Sequence, residues 1–91
     1  MDLTDYREKI NAIDDQILAL FLQRMDLAAQ VVAYKKANGL PVLHPAREQA
    51  VLERISAGLE APMDEYARQL FAQLMALSRA YQQQLGAEDR P

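Results

Sequence analysis

The stretch from Thr4 to Asn38 contains neither proline nor glycine, and this feature constrains the fold more than any other. Its apolar residues recur at steps of three and four, the spacing of one face of an α-helix. They are Tyr6, Ile10, Ile13, Ile17, Leu20, Phe21, Leu27, Ala28 and Val31. Asn38-Gly39 is a typical helix stop. The stretch therefore predicts one helix of roughly 34 residues, about 50 Å long at 1.5 Å per residue.

Prolines and glycines divide the rest of the chain into two shorter helices. Pro45 suits the first turn of a second helix that ends near Gly58. A third helix follows Pro62 and ends before Gly86. Because no segment shows the alternation of a strand, we expect an all-α fold. The predicted domain covers residues 1–91, with helices at about 4–38, 45–58 and 63–85.

The predicted first helix is longer than a compact domain of 91 residues is wide. Its apolar stripe needs a partner, and the two shorter helices can cover only part of it. A domain of this size also buries little surface on its own. A second copy of the chain would cover the rest of the stripe, so we expect an intertwined homodimer with two-fold symmetry.

Composition excludes several classes of function. The chain has no cysteine, which rules out disulfides, thiolate metal sites and a cysteine nucleophile. His44 is the only histidine, and no carboxylates are spaced around it as zinc ligands, so we expect no metal. A serine hydrolase is equally unsupported. The net charge of -3 argues against nucleic acid as a partner.

The sequence shows neither a secretory signal nor a transmembrane segment. The acidic start, residues 1–5, lacks the basic and apolar regions of a secretory signal. The longest strongly apolar run, residues 17–22, is far shorter than the ~20 residues of a transmembrane span. We therefore expect a cytoplasmic protein without a membrane partner.

Two cations interrupt the apolar stripe of the first helix. Arg24 lies seven residues after Ile17 and seven before Val31, and Lys35 follows four residues later. Each alone is explained by a stem that packs on the core while its charged end reaches water, or by a buried ion pair. Arg7 lies about 25 Å from Arg24 along the same helix, too far for one small ligand. If both arginines serve one site, they come from different chains, whereas a local surface pair explains Arg7 alone.

The shorter helices carry further polar residues at informative positions. Glu48, next to Arg47, lies in a first turn, where the helix dipole favours a carboxylate, so capping alone would explain it. Ser78 and Gln82 are four residues apart on the line of the apolar face. A hydroxyl and an amide that face inward need hydrogen-bond partners, which a water or a backbone carbonyl could also supply.

Taken together, these residues resemble the AroQ chorismate mutase family from Asp5 to Leu85. No single motif is specific, but the order and approximate spacing of the whole set match. The motifs are Arg7-Glu8-Lys9-Ile10, Ile13-Asp14, Gln23-Arg24, Lys35, Arg47-Glu48, and Ser78 with Gln82. The resemblance implies an enzyme that rearranges chorismate to prephenate, in phenylalanine and tyrosine biosynthesis, without metal or cofactor.

The resemblance also implies roles at the two carboxylates of the substrate. Arg7 would reach the active site of the neighbouring subunit and hold one carboxylate. Arg24 would hold the other, with Ser78 assisting. Arg47 would add positive potential beside them.

Four further residues would meet the reacting part of the substrate. Lys35 and Gln82 would point at the ether oxygen of the enolpyruvyl arm, and Glu48 would accept the ring hydroxyl. His44 stands where the family often has an acidic residue and where much of the contact comes from the backbone. The resemblance therefore implies that His44 binds the substrate chiefly through its backbone.

Two other functions fit parts of the same pattern. Isochorismate-pyruvate lyase shares the helical scaffold and the cationic pocket, although Arg47-Glu48 favours the mutase. A noncatalytic dimerisation or regulatory module is the second, with interior charges that only fix the register of the helices. A free-standing enzyme and a module of a longer chain both fit the sequence.

Overall fold

The computed structural model describes residues 1–88, which form three α-helices. They are α1 (Leu3–Ala37), α2 (Pro45–Ser56) and α3 (Met63–Glu88). The predicted all-α class is confirmed, since residues 1–88 contain no strand. Both ends of α1 differ from the sequence-based bounds by one residue. The larger differences are that α2 ends two residues earlier, at Ser56, and that α3 continues through Gly86 to Glu88.

Side chains and a glycine define both ends of α1. Asp2 and Asp5 form a capping box, in which each side chain accepts a hydrogen bond from the backbone N–H of the other, at 3.0 and 2.9 Å. At the other end Gly39 has φ +65°, a left-handed conformation that costs glycine little. The N–H of Leu40 then donates to the carbonyl of Lys35 at 2.8 Å. This closes the last turn and directs the chain into the loop before α2.

The start of α2 is capped by His44. Its Nδ1 accepts a 3.0 Å hydrogen bond from the backbone N–H of Arg47, and Pro45 occupies the first turn. A ring nitrogen thus replaces the side-chain oxygen that usually caps a helix.

Helix α3 packs against both α1 and α2 and joins them into one layer. The buried apolar residues are Ala28, Val32, Val51 and Met75. Arg68 ties α3 to the end of α2, because its Nη1 donates to the hydroxyl of Ser56 at 2.8 Å and to the carbonyl of Leu52 at 3.4 Å. No side chain in the described range is completely buried, so a single chain has a small core.

The single chain is flat and elongated. It measures 56 × 27 × 14 Å, and its radius of gyration is 16.7 Å, against about 12 Å for a compact domain of this length. Residues 1–20 are all exposed. Ile10, Ile13 and Ile17 are each more than half exposed, at 55%, 53% and 56%. The first half of the apolar stripe on α1 therefore lies outside the core of its own chain.

Helix α1 is also long and apolar enough to cross a membrane, by length and composition alone. Unbroken apolar runs in the sequence do not indicate this property, because single polar residues interrupt the helix. The same test is passed by long helices from the cores of water-soluble proteins, so it is weak evidence for a membrane span.

Candidate active site

The three helices and the loop before α2 line a cavity of about 330 Å³ that is open to solvent. This volume is within the usual range for a small-molecule site. The charged and polar residues that line it are Arg24, Lys35, His44, Arg47, Glu48, Ser78, Arg79 and Gln82. Its apolar wall consists of Leu27, Ala28, Val31, Val42, Val51 and Met75.

Seven of the eight site residues selected from the sequence line this cavity. Arg7 is the exception. It is exposed and lies in the first half of α1, away from the cavity of its own chain. A single chain therefore brings together every selected residue except the one that the resemblance assigns to a neighbouring subunit.

Arg24 and Ser78 are joined directly across the interface of α1 with α3. The guanidinium Nη1 of Arg24 donates to the hydroxyl of Ser78 at 2.6 Å. Ser78 is buried and donates in turn to the carbonyl of Leu74 at 3.0 Å, one helical turn earlier. The hydroxyl therefore fixes one end of the guanidinium, and the remaining N–H groups of Arg24 are available to an anion.

Lys35 and Gln82 are both held by backbone carbonyls. The Nζ of Lys35 donates to the carbonyl of Val42 at 3.0 Å, which connects the end of α1 to the following loop. The Nε2 of Gln82 donates to the carbonyl of Ala28 at 3.0 Å. An ammonium has three hydrogens and an amide nitrogen has two, so each group can donate to a ligand while it keeps its backbone partner.

Arg79 is a charged residue of the cavity that was not predicted from the sequence. It forms an ion pair with Glu48 through Nη1 and Oε1, which connects α3 to the first turn of α2. Its spacing was a usable signal, because it lies four residues after Met75 and three before Gln82. Periodicity places Ser78 and Gln82 on the line of the apolar face, and Arg79 lies beside that line.

The cavity carries an excess of positive charge. Four cationic side chains line it, namely Arg24, Lys35, Arg47 and Arg79, against the single carboxylate of Glu48. With the histidine neutral, the net charge of this lining is +3, although the whole chain carries -3. Such a local excess favours an anionic ligand. Within residues 1–88, no group of three or more His, Asp or Glu side chains is arranged to hold a metal ion.

The sequence matches the chorismate mutase type II family over residues 6–83. Among curated relatives, a chorismate mutase of Methanocaldococcus jannaschii is 40% identical over 58% of this chain and 54% of its own length. A bifunctional chorismate mutase/prephenate dehydratase of Escherichia coli is 38% identical over 87% of the chain and 21% of its own length. A 4-amino-4-deoxychorismate mutase of Streptomyces venezuelae is 30% identical over 58% of the chain and 52% of its own length.

No solved structure gives a significant match. The chain spans about half, or less, of the length of the curated relatives it matches. The family match extends from the first half of α1 to the second half of α3, and so includes every residue of the cavity. The chain belongs to the chorismate mutase type II family.

Proposed function

We propose that this chain is a chorismate mutase that converts chorismate to prephenate in the cavity between its helices. One observation carries the proposal: a single cavity with an excess of cations is lined by seven of the eight residues that the sequence analysis selected. Chorismate carries two carboxylates, and four cations with one carboxylate are the complement of such a dianion.

The reaction is an intramolecular exchange of bonds. The carbon–oxygen ether bond breaks and a carbon–carbon bond forms within one molecule, with no proton transferred and no group left over. It therefore needs no general acid, base or nucleophile, and no metal or cofactor. What it needs is a flexible arm folded over the ring in the reactive geometry, which is a problem of orientation.

The arginines supply that orientation. Arg24, fixed by Ser78, binds one carboxylate in a forked geometry that an ammonium could not match. Arg47 adds positive charge from the first turn of α2. The apolar wall of the cavity, including Val31, Val51 and Met75, packs against the ring and excludes water.

Lys35 and Gln82 act on the ether oxygen, where negative charge develops as the bond breaks. Both are already held by backbone carbonyls, so little reorganisation is needed in the transition state. An ion pair about 4 Å apart is worth roughly 4 kcal/mol at an effective dielectric constant near 20. The charge of Lys35 therefore supplies the larger share, and Gln82 adds a neutral donor.

We further propose that the active unit is an intertwined homodimer. Ile10, Ile13 and Ile17 lie along one face of α1 and are each more than half exposed, and large apolar side chains that adjoin on the surface of a protein often mark an interface. A second copy covers it with its own helices. In that arrangement Arg7, which its own cavity does not use, enters the cavity of the partner and binds the second carboxylate.

In the cell we propose a water-soluble, cytoplasmic enzyme without a nucleic-acid or membrane partner. The dimer accounts for the apolar length of α1, because the stripe that would face lipid packs against the second copy. Sedimentation of the purified protein without detergent tests this, and a need for detergent would contradict it.

The direct test is to follow the loss of chorismate absorbance on adding the purified protein, and to identify the product after acid treatment. We expect phenylpyruvate, formed from prephenate in acid. Isochorismate is offered in parallel, and release of pyruvate from it would indicate the lyase instead. Chorismate consumption at the uncatalysed rate would refute the proposal and favour a noncatalytic module.

Subunit mixing tests the shared site. Arg7→Ala and Arg24→Ala dimers each lack an arginine at both sites, so we expect both to be inactive. A mixed dimer has one site with both arginines, so co-refolding should restore activity to a fraction of the dimers. Each inactive variant refolded alone is the control for mixing, and Arg54→Ala, which removes an exposed arginine outside the cavity, should be active without mixing. Absence of complementation would contradict a site shared between chains.

A further inference from the structure

The ion pair between Glu48 and Arg79 sets the charge at one side of the cavity. Both side chains line the cavity and are about a third exposed, at 29% and 36%. The pair uses Oε1 of Glu48. A carboxylate has two oxygens, each of which accepts more than one hydrogen bond, so Glu48 can still accept from a ligand.

Without Arg79, Glu48 would be an uncompensated carboxylate facing a bound molecule. It would then attract an ammonium group more strongly than a neutral hydroxyl, because the charge of the cation adds to the hydrogen bond. With Arg79 in place, the pair is close to neutral. A hydroxyl still donates to Glu48, but an ammonium at the same place is repelled by the guanidinium that neutralises the carboxylate.

We propose that Arg79 is a specificity-determining residue that acts through Glu48, and that it favours a substrate with a hydroxyl over one with an ammonium at ring carbon 4. The inference rests on the proposed function, in which Glu48 meets this substituent. Chorismate and 4-amino-4-deoxychorismate differ only there. Discrimination arises from an unfavourable contact with the wrong substrate as well as a favourable one with the right substrate.

The other charges around the cavity do not account for this effect. Arg24, Lys35 and Arg47 also face the cavity and also disfavour a cation, but they remain when Arg79 is replaced. The change in preference between the wild type and an Arg79 variant therefore isolates the contribution of one guanidinium.

The test compares kcat/KM for chorismate and for 4-amino-4-deoxychorismate at pH 7, where the amine is protonated. For Arg79→Gln and for Arg79→Met, which keeps an apolar stem, the ratio should shift toward the amino substrate by about tenfold. Arg79→Lys keeps the charge and should keep the wild-type ratio. Arg54→Gln removes an exposed arginine of α2 that does not line the cavity, and should leave the ratio unchanged.

A second background shows whether Arg79 acts through Glu48. In Glu48→Gln, replacement of Arg79 by Gln should shift the preference by less, because the ion pair that holds the guanidinium beside the ring substituent is gone. If replacing Arg79 lowers kcat/KM equally for both substrates, it binds a part that they share, and the inference is wrong while the proposed function stands. If the wild type converts neither substrate, the proposed function fails, and the inference fails with it.

Discussion

The guanidinium of Arg24 donates to the hydroxyl of Ser78 across 54 residues of sequence, at 2.6 Å, and this bond joins α1 to α3 at the cavity. Ser78 is buried, and its own hydrogen goes to Leu74. The hydroxyl hydrogen is donated to the carbonyl of Leu74, so the lone pairs of the oxygen face Arg24 and accept its hydrogen bond. In the proposed enzyme this fixes the direction in which Arg24 faces a carboxylate.

Replacing Ser78 with alanine should weaken substrate binding. A hydrogen bond to a charged group contributes about 1.5–3 kcal/mol, so we expect kcat/KM to fall at least about tenfold, chiefly through KM. Steady-state kinetics with chorismate measures this. Ser56→Ala is the matched control, because Ser56 also accepts from an arginine, Arg68, but outside the cavity. Equal kinetic losses in both variants would contradict a role for the hydroxyl at the site.

Lys35 should contribute mainly to the rate of the chemical step. Its charge acts on the ether oxygen only as the bond breaks, so Lys35→Ala should lower kcat by about a hundredfold or more with a smaller change in KM. Lys36→Ala removes the same charge from the next position, which does not line the cavity, and should leave kcat nearly unchanged. A loss in KM alone would show that Lys35 binds substrate and transition state equally.

The sequence alone predicted the three helices and seven of the residues that line the cavity. An apolar stripe with the helical period predicted α1. The same stripe identified Arg24 and Lys35 as candidates, because cations on an apolar face need hydrogen-bond or charge partners. Arg79 was missed because it lies at the edge of the α3 stripe. Which edge faces α2 depends on how the two helices pack, and periodicity along one helix does not define that.

Glycines explain the difference at the helix ends. Gly39 and Gly58 adopt positive φ, at +65° and +79°, and each follows the end of a helix. Gly86 does not, and α3 continues through it to Glu88. A glycine inside a helix costs about 1 kcal/mol relative to alanine, which neighbouring turns can offset. The presence of a glycine therefore did not show whether a helix ends there or continues through it.

His44 should stabilise the fold through its cap on α2. Removing a capping side chain costs about 1 kcal/mol, so His44→Ala should lower the melting temperature by roughly 4–8 °C. His44→Asp supplies an oxygen acceptor for the N–H of Arg47 and should retain the wild-type stability. Thermal unfolding followed by circular dichroism distinguishes the two. Equal stability of all three proteins would show that the 3.0 Å contact contributes nothing.

Gln82→Glu should make the activity depend on pH, with higher activity at lower pH. A carboxyl group donates to the ether oxygen, or to the carbonyl of Ala28, only when it is protonated, and the ordinary pKa of glutamate is about 4.3. Activity of the variant should therefore rise as the pH falls, whereas the wild-type amide does not titrate. Gln83→Glu adds the same charge at an exposed neighbour outside this cavity and should follow the wild-type profile. A flat profile for Gln82→Glu would contradict its role as a donor.

Ile13 provides the sharpest test of the dimer. It is 53% exposed in the single chain, and a substitution at an exposed site usually changes stability by less than about 0.5 kcal/mol. If a second copy covers it, Ile13→Asp buries a charge at the interface, so the dimer should dissociate and activity should be lost together. Analytical ultracentrifugation should give twice the 10.3 kDa chain mass for the wild type and the single mass for the variant. Asn11→Asp adds the same charge to this stretch without removing an apolar side chain, and should remain dimeric. An active monomer in either protein would show that Arg7 need not come from a partner.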